Sequence, residues 1–121
     1  MTIGVAGSGA FGTALAVSLA RNGPVVLWSR SADQTREMKE ARCNSARLPG
    51  IVLPDSVTPT SEFMEVSNTD VVLLAVPMQK LRGLLADHAG MLAGRKLVAC
   101  CKGIELDTGQ GPVAVIREVL P

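Results

Sequence analysis

Apolar residues in this chain come in short unbroken runs, and each run is followed by a stretch with helical spacing. The first run, Ile3–Ala6, reads as a buried strand. Residues 13–20 (TALAVSLA) then carry strong helix formers with apolar positions at helical intervals. Asn22-Gly23-Pro24 stops that helix, because glycine suits the position just past a helix end and proline cannot continue it. Val25–Trp28 is the second run. A helix over 32–43 follows, polar on much of its surface, its start marked by Ser31 and Gln34 at capping-box spacing. Beyond a proline-containing loop at 44–54, residues 57–60 read as a short strand and 61–65 as a short helix. The run at 70–77 (DVVLLAVP) is the clearest buried strand. Its aliphatic residues do not alternate with polar ones, which predicts cover on both faces, as in a parallel sheet. A helix at 79–88, a strand at 96–101, a turn at 107–111 and a last helix at 113–119 complete the chain. This strict alternation predicts an α/β fold, a doubly wound parallel sheet forming one domain across residues 1–121.

The turn after the first strand changes the picture from architecture to chemistry. Gly7, Gly9 and Gly12 are spaced G-x-G-x-x-G between a strand and a helix, the context the dinucleotide fingerprint of Rossmann-type folds requires. Gly7 permits the sharp turn, Gly9 lets backbone approach a pyrophosphate, and Gly12 lets helix and strand pack closely. Free N–H groups near Ala10 and Phe11 then face the anion with the positive end of the helix dipole behind them. In doubly wound sheets ligands bind beyond the carboxyl ends of the strands. That rule selects four places: the turn Gly7, Ser8, Gly9, Ala10, Phe11 and Gly12; the pair Ser29 and Arg30; the segment holding Pro77 and Gln79; and Lys102. At the end of the second strand, an NAD-preferring site usually presents a carboxylate to the ribose. This chain has Ser29-Arg30, and a guanidinium suits a 2′-phosphate, so NADP is favoured with NAD as the alternative. Asp33, the nearest carboxylate, falls in the first turn of the next helix, where it suits the dipole instead.

Composition mostly excludes. The chain has 121 residues, 47% hydrophobic and 19% charged, which places it among globular domains. A net charge of +1 without a basic tract gives nucleic-acid binding little support, and two Phe with one Trp offer no stacking platform. No apolar stretch reaches the length of a membrane span, so a cytoplasmic protein is expected. Cys43, Cys100 and Cys101 lack metal-type spacing and read as reduced, mostly buried thiols, the adjacent pair pointing to opposite faces of a strand. His88, at the edge of an apolar helix face near that helix's end, is expected to pack or to meet the helix dipole.

Four stretches together resemble the amino-terminal half of the bacterial-type NAD(P)-dependent glycerol-3-phosphate dehydrogenases: GSGAFGTALA at 7–16, NSARLPGIVLP at 44–54, VVLLAVPMQKLR at 71–82 and CKGIELDTG at 101–109. The resemblance implies reversible reduction of dihydroxyacetone phosphate to glycerol 3-phosphate by hydride transfer from NADPH or NADH, feeding phospholipid synthesis. It also implies cofactor contacts from backbone at Ala10 and Phe11 and from Arg30, with Lys102 touching both cofactor and substrate. Where that family often has Ser-Trp before the third glycine, this chain has Ala10-Phe11, which keeps backbone contacts and removes a hydroxyl. Met78 stands where a small polar residue is common.

The family's all-helical domain, with a second, catalytic lysine, is not within these 121 residues. No catalytic residue is therefore expected here, and negligible turnover is expected from this stretch alone, because a hydride-transfer site must clamp substrate against the nicotinamide. A sheet lacking that partner domain is compatible with a homo-oligomer. Ketopantoate reductase and 6-phosphogluconate dehydrogenase share the opening motif and stay open as readings, as does a stand-alone NADP-sensing module.

Overall fold

The apolar runs pair edge to edge through their backbone N–H and C=O groups, and helices cover the apolar side chains on both faces of the resulting sheet. The computed structural model describes residues 1–121. Along the chain lie β1 (Ile3–Ala6), α1 (Ala10–Leu19), β2 (Val25–Trp28), α2 (Ala32–Ala41), β3 (Val57–Thr60), α3 (Phe63–Ser67), β4 (Val71–Leu74), α4 (Met78–Asp87), α5 (Ala89–Leu92), β5 (Leu97–Ala99) and α6 (Pro112–Val119). All five strands are parallel in the order β3-β2-β1-β4-β5, with Ile3 opposite both Val25 and Val71. The chain builds outward from β1 through β2 and β3, then crosses back to lay β4 on the other side. The reversal leaves a crevice above the carboxyl ends of β1 and β4, where such sheets bind ligands.

Successive residues of each strand feed two cores. Val5, Val25, Leu27 and Val57 pack with Ala16 of α1 and Met38 of α2 on one face. Ala6, Trp28, Val72 and Leu74 pack with Leu81, Leu84 and Leu85 of α4 and Val115 of α6 on the other. Leu27 and Leu74 are wholly buried, one in each core. Removing such a side chain from water contributes about 1.5–3 kcal/mol. No helix is long and apolar enough to cross a membrane.

Several element ends differ from expectation, and hydrogen bonding explains them. The fourth strand ends at Leu74 rather than near Pro77, because β1 turns away at Gly7 and the last ladder bonds are Ala75 N to Ala6 O and Cys100 N to Leu74 O. The fifth strand accordingly ends at Ala99, so Cys100 and Cys101 lie in the loop beyond it, not on opposite strand faces. The three cysteines are free thiols, as expected, but half-buried. Helix α2 stops at Ala41 because Arg42 takes a left-handed conformation (φ 52°) and sends its guanidinium into the following loop, donating to the carbonyls of Pro54 (2.6 Å) and Val57 (2.8 Å). Helix α5 was not expected from the sequence; it begins at once after α4, and Gly90 hides its helical pattern.

Candidate functional site

Each strand above the crevice delivers one wall of the site. After β1 the chain turns at Gly7 (φ 125°), where a Cβ would come within 2.8 Å of the Ala75 carbonyl carbon. At Gly12 an added Cβ would run into the Gly7 carbonyl oxygen. Both glycines are thus required by the protein's own packing. Gly9 is different: a Cβ there meets nothing within 4 Å. What Gly9 keeps clear is space outside the fold. The N–H groups of Ala10, Phe11 and Gly12 at the start of α1 have no acceptor within the chain, and no side chain caps this helix. An open cradle beside free N–H donors at a helix N-terminus fits a phosphate group.

Two cavities meet over this cradle. The first, about 440 Å³, lies between the loops after β1, β2 and β4, with Gly7, Ser8, Trp28, Ser29, Arg30, Lys80 and Leu84 in its walls. The second, about 520 Å³, lies between the loops after β1, β4 and β5, with Ala10, Phe11, Gly12, Met78, Cys100, Cys101 and Lys102. Gly9, Arg47, Ala75, Val76 and Pro77 line both. The charge distribution is one-sided. Arg30, Arg47, Lys80 and Lys102 line the pair of cavities, and no carboxylate does. A chain of net charge +1 thus brings four cations and no carboxylate to the lining of one crevice, which favours an anionic ligand.

The glycine turn is held from behind by amides that the sequence reading did not place at the site. Asn44 is buried, and its Nδ2 donates to the Ser8 carbonyl and to Thr13 Oγ1, both at 2.8 Å. Its Oδ1 accepts from Gln34 Nε2 (3.1 Å), which also donates to the Ser8 carbonyl (3.1 Å). Ser29 Oγ donates to Gln34 Oε1 (2.7 Å). These bonds draw the Ser8 carbonyl inward and leave the α1 N–H groups facing the cavity. Ser29 is consequently a buried wall residue whose hydroxyl is committed to Gln34, whereas Arg30 is exposed, its only partner being Asp87 at 3.8 Å. Two such exposed groups hold one another weakly.

The loop carrying Lys102 has its own scaffold. Arg82 on α4 makes a two-pronged ion pair with the carboxylate of Glu105, Nε to Oε2 at 2.9 Å, and also reaches Glu118 and Gln110. Thr108 Oγ1 donates to Glu105 (2.6 Å). The guanidinium and this hydroxyl hold the Glu105 carboxyl below the usual carboxylate range. Gln79, expected on the cofactor side, lines neither cavity. Its Nε2 donates to the Ile104 carbonyl (2.8 Å) and its Oε1 accepts from Leu106 N–H (2.9 Å), so it braces the same loop. Lys102 is exposed at the rim.

His88 packs, as expected. Its ring stacks on Phe63 with centroids 3.8 Å apart and meets Trp28 edge-on. Burial lowers its pKa from the ordinary value, Asp87 opposing and Arg30 adding to the effect, and its Nδ1 is buried without a partner. Burial likewise pushes the Cys100 and Cys101 thiols up, so both stay protonated near neutral pH. Neither is a poised nucleophile.

Arg47, Lys80, Asn44 and Gln34 were not expected at the site: Gln34 reads as a helix-capping residue, and the other three lie unassigned in stretches that carry the family resemblance. For Asn44 and Arg47 the apolar, proline-containing loop at 44–54 was a signal, since such loops often carry function.

Residues 2–121 match the family model described as the NAD-dependent glycerol-3-phosphate dehydrogenase N-terminus. Over 121 residues the chain is 56% identical to a glycerol-3-phosphate dehydrogenase (NAD(P)+) of Ruegeria sp. (strain TM1040), and 54% identical to one of Roseobacter denitrificans. All of this chain is covered in both cases, and 38% of each relative. Among solved structures, glycerol-3-phosphate dehydrogenases of Coxiella burnetii and of yeast superpose with TM-scores of 0.89 and 0.87. They cover 98% and 99% of this chain and are matched over 37% and 39% of their own. Each is 24% identical to it, a likeness of fold.

Proposed function

We infer, since the chain belongs to the family of NAD-dependent glycerol-3-phosphate dehydrogenase N-termini, that its paired cavities hold an NAD(P) dinucleotide for the interconversion of dihydroxyacetone phosphate and glycerol 3-phosphate. The observation that carries this reading is Gly9, a glycine the fold itself does not need, placed where the two cavities join. One nucleoside half fits each cavity, with the pyrophosphate over the free N–H groups of Ala10, Phe11 and Gly12. When bound, the nicotinamide supplies or takes up a hydride. Lys102, at the rim of the second cavity, donates a charge-assisted hydrogen bond to the substrate's ketone oxygen or phosphate and stabilises negative charge there. Val76 and Pro77, which line both cavities, offer the dinucleotide an apolar wall after β4.

NADP is the favoured cofactor. The first cavity presents Arg30 and Lys80 at its walls and no carboxylate in its lining, so a ribose 2′-phosphate there meets cations. Arg30 exchanges a weak surface partner, Asp87, for a phosphate at little cost. Titrating the protein with NADPH and with NADH, before and after Arg30→Ala, tests this. A selective loss for NADPH of roughly 1–3 kcal/mol is expected of a charge-assisted contact. Equal loss for both cofactors, or none, refutes the preference.

A further inference from the structure

We propose that Arg47 is the cation that grips the pyrophosphate of the bound dinucleotide, an assignment that rests on the dinucleotide reading above. A dinucleotide is two nucleosides joined by a pyrophosphate, so a ligand filling both cavities carries that group across their shared rim. Five residues make up this rim: Gly9, Ala75, Val76 and Pro77 are uncharged, and Arg47 is the charged one. Below the rim the α1 N–H groups face outward without acceptors. Arg47 faces the same space from the loop side.

Two further observations set Arg47 apart from the other arginines near the site. Its guanidinium makes no hydrogen bond or ion pair within the chain, whereas Arg42 is spent on the Pro54 and Val57 carbonyls, Arg82 on Glu105 and Glu118, and Arg30 on Asp87. Its backbone, by contrast, is fixed. The Arg47 and Leu48 N–H groups both donate to the Asn44 carbonyl, at 3.2 and 2.7 Å, closing a tight turn. Asn44 is in turn buried against Ser8 and Thr13. The turn that presents Arg47 is thus bolted to the glycine turn on which the pyrophosphate rests, so cradle and cation hold their spacing together. A guanidinium can bond two phosphate oxygens at once, which suits a group with oxygens on both phosphorus atoms.

The experiment compares wild type, Arg47→Ala, Arg47→Lys and Arg30→Ala for binding of NADPH, NADH and adenosine 2′-monophosphate, which carries a 2′-phosphate and no pyrophosphate. Because Arg47 is exposed, Arg47→Ala should melt like wild type. We expect it to weaken NADPH and NADH by the same factor, about tenfold or more for a charged contact. Adenosine 2′-monophosphate should bind as before, and Arg47→Lys should recover part of the loss. Arg30→Ala should do the opposite, weakening NADPH and adenosine 2′-monophosphate while sparing NADH. Unchanged affinity of Arg47→Ala for both dinucleotides overturns the assignment. So does a loss confined to NADPH and adenosine 2′-monophosphate, which would make Arg47 a 2′-phosphate ligand. Failure of the wild type to bind either dinucleotide overturns the underlying reading as well, and wild type alone reveals that case.

Discussion

Replacing Gly9 with alanine separates two demands that the glycine turn meets at once, fold and ligand. The backbone at Gly9 (φ −70°, ψ −171°) is ordinary for alanine, and the new Cβ meets nothing within 4 Å. Two small terms then compete in the free protein. Alanine is a poorer helix N-cap than glycine, which costs roughly 0.5–1 kcal/mol. Against that, it narrows the unfolded ensemble, which stabilises by about 0.4–1 kcal/mol. Net stability should stay within about 1 kcal/mol of wild type, a melting shift of roughly 4 °C or less for a domain of this size. Binding should respond very differently. A methyl group in the cradle lifts the pyrophosphate off the Ala10 and Phe11 N–H groups, and losing even one charge-assisted bond, about 1.5–3 kcal/mol, weakens affinity at least about tenfold. Gly12→Ala is the control. Its Cβ would strike the Gly7 carbonyl and lie 2.9 Å from the Gly7 carbonyl carbon, both backbone atoms that cannot swing aside. Such overpacking costs about 1–3 kcal/mol, or roughly 4–12 °C. Circular dichroism melts read the first quantity and NADPH fluorescence titration the second. If Gly9→Ala binds NADPH like wild type, or melts as low as Gly12→Ala, the division of labour among these glycines is wrong.

Asn44→Ala should cost about 2–3 kcal/mol, since it removes two buried hydrogen bonds and a half-buried third, and should weaken dinucleotide binding by loosening the Ser8 carbonyl. Asn44→Asp should be worse than alanine in the same melts, because it aims a buried carboxylate at the Ser8 carbonyl; equal losses would argue against the network. His88 has a folded-state pKa below its ordinary value, so the folded form binds the proton less readily than the unfolded one, and stability should fall as pH drops below about 6.5. His88→Phe, which keeps the stack on Phe63 without a titrating group, should flatten that part of the stability–pH curve, and an unchanged slope would refute the assignment. Glu105 is likewise held below its ordinary value, so its contribution is present above about pH 4.3 and lost as pH falls further. Arg82→Ala, which strips Glu105 of its guanidinium, should lower the melting temperature and disorder the loop bearing Lys102, read as weaker cofactor binding; a melt identical to wild type would show that the ion pair does not brace the loop.

Much of this protein is written locally. The runs at Ile3–Ala6 and Val71–Leu74, the helix stop at Asn22-Gly23-Pro24 and the glycine spacing all act over a few residues, so the α/β alternation and the placement of Gly7, Arg30 and Lys102 beyond strand ends were legible without coordinates. Strand ends were less so, because a strand stops where its neighbour turns away: β4 stops at Leu74 since β1 bends at Gly7. The direction of Gln79 depended on where the loop at 104–106 folds back, which no periodicity encodes.

What only the tertiary structure decided is which other residues join the glycine turn, Arg30 and Lys102 at the site. Asn44 reaches a carbonyl 36 residues earlier in the chain, and a single buried amide leaves no repeating pattern in sequence. Arg30, Arg47, Lys80 and Lys102 are scattered in a nearly neutral chain, and only the meeting of loops from β1, β2, β4 and β5 gathers them at one crevice with no carboxylate among them. The sequence by itself determined that a strand, a glycine turn and a helix could receive a phosphate, because that geometry is local. That Arg47 and Lys80 join Arg30 and Lys102 in facing it follows from contacts between residues far apart in the chain, and the same folded packing holds Gly7 and Gly12 while leaving Gly9, the glycine expected to face the pyrophosphate, clear.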